Sequence, residues 1–237
     1  MVKDGKVLRF GRVAIMTHWT HTVTFFLLAV TGLFIYADAF DFLLPLFGGK
    51  QGARLVHRIA AVGFIMMPLI GLWRNPKGFT EWMQSVLSWG KNDFAFFSAF
   101  VQEFFGGHPE VPPQGRFNAG EKANSLLQLG GCTILAVTGL IIWFKELFPT
   151  ALVAWSIPLH DVAFILTATA VLGHAYLALF HPATKEAING MISGYIDADF
   201  AKSHYPLWYK EVEKVGRLGE GPVAKKPYPL VKEPEEA

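Results

Sequence analysis

Two histidines, His160 and His174, stand fourteen residues apart at and within an apolar stretch whose charge-free part runs from Val162 to Thr184. Fourteen residues rise ~21 Å along an α-helix and come back to within ~40° of the same face. Such a helix sets one imidazole near each leaflet of a ~30 Å hydrocarbon slab. Ionisable side chains at that depth are costly, and they mark functional sites. The chemistry suggested is two stacked metal centres. Haem iron suits isolated histidines best, because the porphyrin supplies its other four ligands.

Those rings need a scaffold, and the chain reads as an all-α integral membrane protein. Of its 237 residues 52% are hydrophobic and 17% charged, and the charges lie outside a few long apolar runs. Four runs reach the ~20 residues a bilayer requires. They fall within 13–37, at about 55–73, at 123–144 and at about 156–180. Pro158 is expected in the first turn of the last helix, where its missing N–H costs little. Pro68 lies inside the second and is tolerated if neighbours satisfy the freed backbone. Cys132 is the only cysteine, so a disulfide within the chain, a Cys-built iron–sulfur cluster and covalent haem attachment are excluded. It reads as a packing residue.

Placement of Lys and Arg sets the orientation. Seventeen of the 21 fall on the side of the N-terminal arm, the loop after span two and the C-terminal tail. Only Lys50, Arg54, Arg58 and Lys145 fall opposite, so both termini are expected in the cytoplasm. The resulting division is an arm at 1–12, a four-helix membrane domain at 13–180 with a cytoplasmic loop at 74–122, and a tail at 181–237. No signal-cleavage site follows the arm, and span one is read as retained. The loop repeats Trp and Phe at rough helical spacing, from Trp82 to Phe105, and reads as one or two interfacial helices or as a partner-covered segment. The last ~20 residues read as disordered or partner-bound. No internal repeat is read.

Depth then sorts the eight histidines. Spans two and four enter from outside, so His57 and His160 lie at the outer level. Span one enters from inside, so His18 shares the inner level with His174. Bis-histidine ligation of two b-type haems follows. Polar helix packing is the alternative, and four histidines at two matched depths speak against it. His21 rivals His18 from three residues on. His181 is expected at the cytoplasmic surface, with His108 and His204 in polar loops. Gly32, Gly63, Gly139 and Gly173 would admit a flat macrocycle or plain helix contact. Arg54 and Arg58 would pair with haem propionates or simply sit at the interface.

These residues carry a family likeness. The chain resembles the gamma subunit of membrane-bound respiratory formate dehydrogenase, a four-span di-haem cytochrome b. The likeness rests on His18-Trp19, on Arg54-x-x-His57, on Phe117-Asn118-Ala119-Gly120-x-Lys122 and on the His160/His174 spacing. In the tail it rests on Gly190-Met191-Ile192-x-Gly194 and His204-x-Pro206-x-Trp208-Tyr209. Related quinone-linked cytochromes of hydrogenases and thiosulfate reductases share the histidine spacing alone.

The resemblance implies a bacterial inner-membrane subunit that anchors a complex. Its partners would be an iron–sulfur (beta) subunit and a molybdenum or tungsten catalytic (alpha) subunit, and the heterotrimer could assemble further. Nucleic acid is not an expected partner. Electrons would pass from the outer face through the haem at His57 and His160 to that at His18 and His174. There they would reduce menaquinone or ubiquinone, with Asn118, Gly120 and His174 contacting the quinone. Asn118 is equally suited to cap a helix. The rivals are the cytochrome subunit of a nickel–iron hydrogenase or another molybdoenzyme and, from another class, a haem-free membrane anchor or transporter.

Overall fold

Apolar runs in lipid must satisfy every backbone N–H and C=O within themselves, which leaves helices as the open solution. A computed structural model describes residues 2–217, Asp4 and His108 excepted. In it the four runs form α1 (Arg12–Tyr36), α2 (Gly49–Arg74), α5 (Ala119–Trp143) and α6 (Thr150–Leu179). Each is long and apolar enough to cross a membrane. Between them lie α3 (Pro76–Leu87) and α4 (Lys91–Phe104). After them come α7 (Ile188–Ile192), α8 (Ala198–His204) and α9 (Pro206–Arg217). Tyr36, Trp73 and Trp155 stand exposed near the ends of spans, where amphipathic rings favour the headgroup level.

The spans pack as two hairpins, α1 on α2 and α5 on α6. A short 3-10 helix, Asp38–Phe47, makes the first turn, and Gly48 at φ +74° starts α2 from a left-handed conformation that suits glycine. Lys50 of α2 holds Asp38 at 2.7 Å there. The hairpins meet at mid-depth through Phe25, Phe64, Leu135 and Ala163. Cys132 packs beside that cluster, as expected of it.

Three features differ from the sequence reading. Helix α6 begins at Thr150, so Pro158 lies inside it and not in its first turn. The helix starts eight residues before that proline, and Pro149 is the residue that precedes it. Second, the arm and the tail fold together. Strands β1 (Val2–Lys3), β2 (Lys6–Leu8) and β3 (Tyr195–Asp197) form an antiparallel sheet in that order. Val7 opposite Ile196 joins Tyr205, Trp208 and Val212 in a buried core. Third, the chain does repeat itself. Leu28-Ala29-Val30-Thr31-Gly32-Leu33 in α1 recurs as Leu135-Ala136-Val137-Thr138-Gly139-Leu140 in α5.

The loop after span two is helical as expected, and α3 and α4 pack against the start of α5. Lys122 Nζ donates to Asp93 Oδ1 and to the Ser88 carbonyl, each at 2.7 Å, and fastens α4 to α5. The expectation of disorder for the last residues, and His108, lie outside the described residues.

Candidate haem centres

At the outer level the repeat explains its own purpose. Thr31 Oγ1 lies 2.9 Å from His57 Nδ1, and Thr138 Oγ1 lies 2.8 Å from His160 Nδ1. Each hydroxyl already donates its proton to a carbonyl of its own helix, Leu27 or Ile134, at 2.6 Å. It therefore accepts from the imidazole Nδ1–H. That fixes the tautomer and leaves Nε2 with a free lone pair, the state a metal ligand needs. The glycine after each threonine faces the ring, and at Gly139 a side chain would crowd it. A Cβ on Gly32 would sit 3.5 Å from His57 Cε1, and one on Gly139 would sit 3.3 Å from His160 Cε1. One Thr-Gly cradle per hairpin thus presents one outer histidine.

At the inner level the structure brings His18 and His174 together, with ring centroids 6.4 Å apart. Two metal–imidazole bonds of ~2.0–2.1 Å, plus ~1.1 Å from each ring nitrogen to its ring centre, give ~6.3 Å. Rings at that separation could hold one metal ion between them. His18 Nδ1 is buried with no hydrogen-bond partner among the described residues. Trp19 meets the His18 ring edge-on at 5.3 Å, and its Nε1 donates to the Met191 carbonyl of α7 at 2.7 Å. His21 turns elsewhere and stacks on Phe64 of α2 at 4.1 Å. Sharing a helix face did not give His21 the same partner.

Among the described residues no cluster of three or more His, Cys, Asp or Glu side chains is set to hold a metal. Each pair can supply two ligands only. A macrocycle that brings the other four fits these donors.

The sequence pattern of the prokaryotic cytochrome b561 family matches residues 9–194. The chain belongs to that family. As a cytochrome b it carries b-type haem, and it is a multi-pass membrane protein. It is 30% identical over 217 residues to the cytochrome b556(Fdn) subunit of the nitrate-inducible formate dehydrogenase of Escherichia coli K12, covering 90% of this chain and 95% of that one. It is 27% identical to the b556(fdo) subunit of the same organism, covering 90% and 97%. The formate dehydrogenase cytochrome b556 subunit of Haemophilus influenzae is 28% identical over 225 residues, 92% of this chain and 87% of that one. The family likeness read from the histidines and the Asn-Ala-Gly segment holds. Relatives that are subunits imply that this cytochrome also works within a complex.

The remaining residues line the inner end. Asn118 caps α5: its side chain accepts from Glu121 N at 2.8 Å, and Glu121 Oε2 accepts from Asn118 N at 2.9 Å. Gly120 follows in the first turn, with Phe96 of α4 against it. Glu121, which the sequence reading did not single out, ties this end of the cytochrome together. Its Oε1 accepts from Arg9 of the arm at 3.1 Å and from Tyr205 of the tail at 2.9 Å. The Arg9 guanidinium lies 3.7 Å from the Tyr205 ring centre. Burial above all, aided by the Glu121 carboxylate and opposed by Arg9, raises the Tyr205 pKa, so its phenol stays protonated and donates. The reciprocal capping pattern was the readable signal for Glu121. At the outer end Arg58 stacks over Trp143, 5.4 Å from the ring centre. His181, expected at the surface, is buried at 7% exposure, because α4 covers it. His204 stacks on Phe200.

The threonines carry a testable expectation. Partners of this kind are worth 10–100-fold in metal affinity. The double substitution Thr31→Val, Thr138→Val is expected to speed loss of the outer haem to an apomyoglobin sink by about tenfold or more. The inner haem should be retained as in the wild type. Equal retention at both levels would refute the role given to the repeat.

Proposed function

We propose that this cytochrome is the membrane subunit of a respiratory formate dehydrogenase of the bacterial inner membrane. It takes electrons from a periplasmic iron–sulfur subunit, itself fed by a molybdenum or tungsten catalytic subunit, and delivers them to a quinone near the cytoplasmic face. The observation that carries this is the approach of His18 to His174, with ring centres 6.4 Å apart, beside outer histidines His57 and His160 that are each held by a threonine of the other helix of the hairpin. It is supported by the relatives, all of the reported ones being subunits of formate dehydrogenases.

His57 and His160 hold the outer haem and His18 and His174 the inner one. Bound haem supplies one-electron transfer at each level. The protein residues do the rest. Thr31 and Thr138 hold the outer imidazoles in the ligating tautomer. Trp19 braces His18. Phe25, Phe64, Leu135 and Ala163 keep the space between the levels dry. The arm, the tail and the loop at 74–122 face the cytoplasm, as most of the Lys and Arg residues require. A negative charge carried inward against 100 mV stores ~2.3 kcal/mol, so quinone reduction on that side conserves energy without a pump.

Asn118, Gly120 and His174 contact the quinone head group in this reading. The capping bond occupies Asn118 Oδ1, which leaves its amide N–H to donate to a quinone oxygen. Asn118→Asp keeps the cap and removes that donor. The KM for quinone is expected to rise about tenfold, as one lost hydrogen bond allows, with both haem spectra unchanged. An unaltered KM would return Asn118 to capping alone.

The function itself is tested by isolating the complex from native membranes. Formate should reduce both cytochrome bands and then a quinone analogue, and the copurified subunits should include the iron–sulfur and catalytic chains. Copurification with a hydrogenase, or cytochrome bands that formate leaves oxidised, would overturn the assignment.

A further inference from the structure

His181 is the buried histidine that the haem reading does not use. It lies just past the end of α6, about 10 Å along the chain axis from His174 on helical spacing. Its Nδ1 is buried with no hydrogen-bond partner among the described residues. Nδ1 is closed off, so the edge of the ring that can meet a ligand is the one that carries Nε2. Its ring lies parallel to that of Phe104 of α4, 5.9 Å apart at 9°, and edge-on to Tyr176 at 6.1 Å.

These side chains line a cavity of ≈ 340 Å³ between the end of α4 and the end of α6, together with Glu103 and Pro182. That volume falls in the range of small-molecule sites. Flat aromatic walls with one free imidazole edge suit a planar ring bearing a carbonyl or hydroxyl. The neighbours of the lining residues are apolar and open to the outside, Phe105 at 81% exposure and Phe180 at 70%. A ligand dissolved in lipid would meet these rings first.

From Phe104 a row of aromatic rings runs on along α4. Phe104 packs on Phe100 at 6.0 Å, and Phe100 stacks on Phe96 at 5.8 Å. Phe96 Cε1 lies 3.5 Å from the point a Cβ on Gly120 would occupy. Spacing of four residues keeps the three rings on one face of α4. The result is an aromatic track from the cavity to the capped start of α5.

We propose that this cavity is a docking station where a quinone arriving from the lipid lodges its head group, with His181 donating to a ring oxygen. The Phe96–Phe100–Phe104 track then leads it to Gly120 and Asn118. The proposal rests on the quinone-reducing reading above and adds a second site to it.

The test uses the whole complex in detergent, a photoreactive azidoquinone and peptide mapping by mass spectrometry. Formate-to-quinone activity is measured on the same sample. Label is expected on residues 103–107 and 176–183, displaced by excess unlabelled quinone. His181→Leu should reduce that labelling about tenfold, the scale of one hydrogen bond. His181→Gln, whose amide donates, should restore most of it, and both variants should keep the haem spectra. Label confined to residues 118–120, or equal labelling in His181→Leu, overturns the station while quinone reduction stands. An unmodified complex that neither reduces quinone nor takes label overturns both.

Discussion

Replacing His57 or His160 with leucine is expected to remove the outer haem and spare the inner one. Each outer imidazole reaches its level alone on its own hairpin, and its Nδ1 is committed to a threonine of the preceding helix. Nothing nearby replaces a lost ring, since among the described residues no third His, Cys, Asp or Glu joins either pair to form a metal-binding group. The mid-depth cluster of Phe25, Phe64, Leu135 and Ala163 separates the two levels, so the inner pair should keep its geometry. Redox titration of membranes followed at the b-band maximum checks this. The expected trace loses one of two components, and the two variants lose the same one. If His57→Leu instead removed the component that His174→Leu removes, the pairing by depth is wrong.

His18→Leu is expected to abolish the inner haem and with it formate-driven quinone reduction, whereas His21→Leu keeps both. The two residues are three apart on α1 and are alike to any pattern that counts residues. The structure separates them. His18 faces His174 across 6.4 Å, while His21 lies flat on Phe64 at 4.1 Å and so fills a packing position. Losing His21 removes that stacking, at a cost of about 0.5–1.5 kcal/mol beyond area burial, which lowers thermal stability without bleaching the protein. Haem stoichiometry and quinone reduction by each variant decide the matter. Loss of haem in His21→Leu with retention in His18→Leu would exchange their roles.

Much of this site was legible because membrane helices obey few rules. Length and lack of charge located four spans, and a helix repeat of 3.6 residues placed His160 and His174 on nearly one face. Depth then followed from the direction of each span. What escaped was whatever depends on neighbours in space. The partners of His57 and His160 lie 26 and 22 residues earlier in sequence. No periodicity within one helix connects them. Their signal was the duplicated Leu-Ala-Val-Thr-Gly-Leu hexamer, too short to stand out as a repeat among so many apolar residues. Glu121 was readable as a capping partner of Asn118 but not as the tie to Arg9 and Tyr205, which come to it from opposite ends of the chain. His181 looked superficial because it follows the last span; only the return of α4 covers it. Pro158 misled in the other direction, because a proline inside a membrane helix reads like a boundary.

The central claim is that four histidines clamp two protohaems in one chain. Pyridine haemochromogen assay of the purified complex, set against its measured amount of this chain, tests it most directly. Two b haems per copy is the result expected, falling to one in His57→Leu. One haem or none per copy in the unmodified protein would contradict the account.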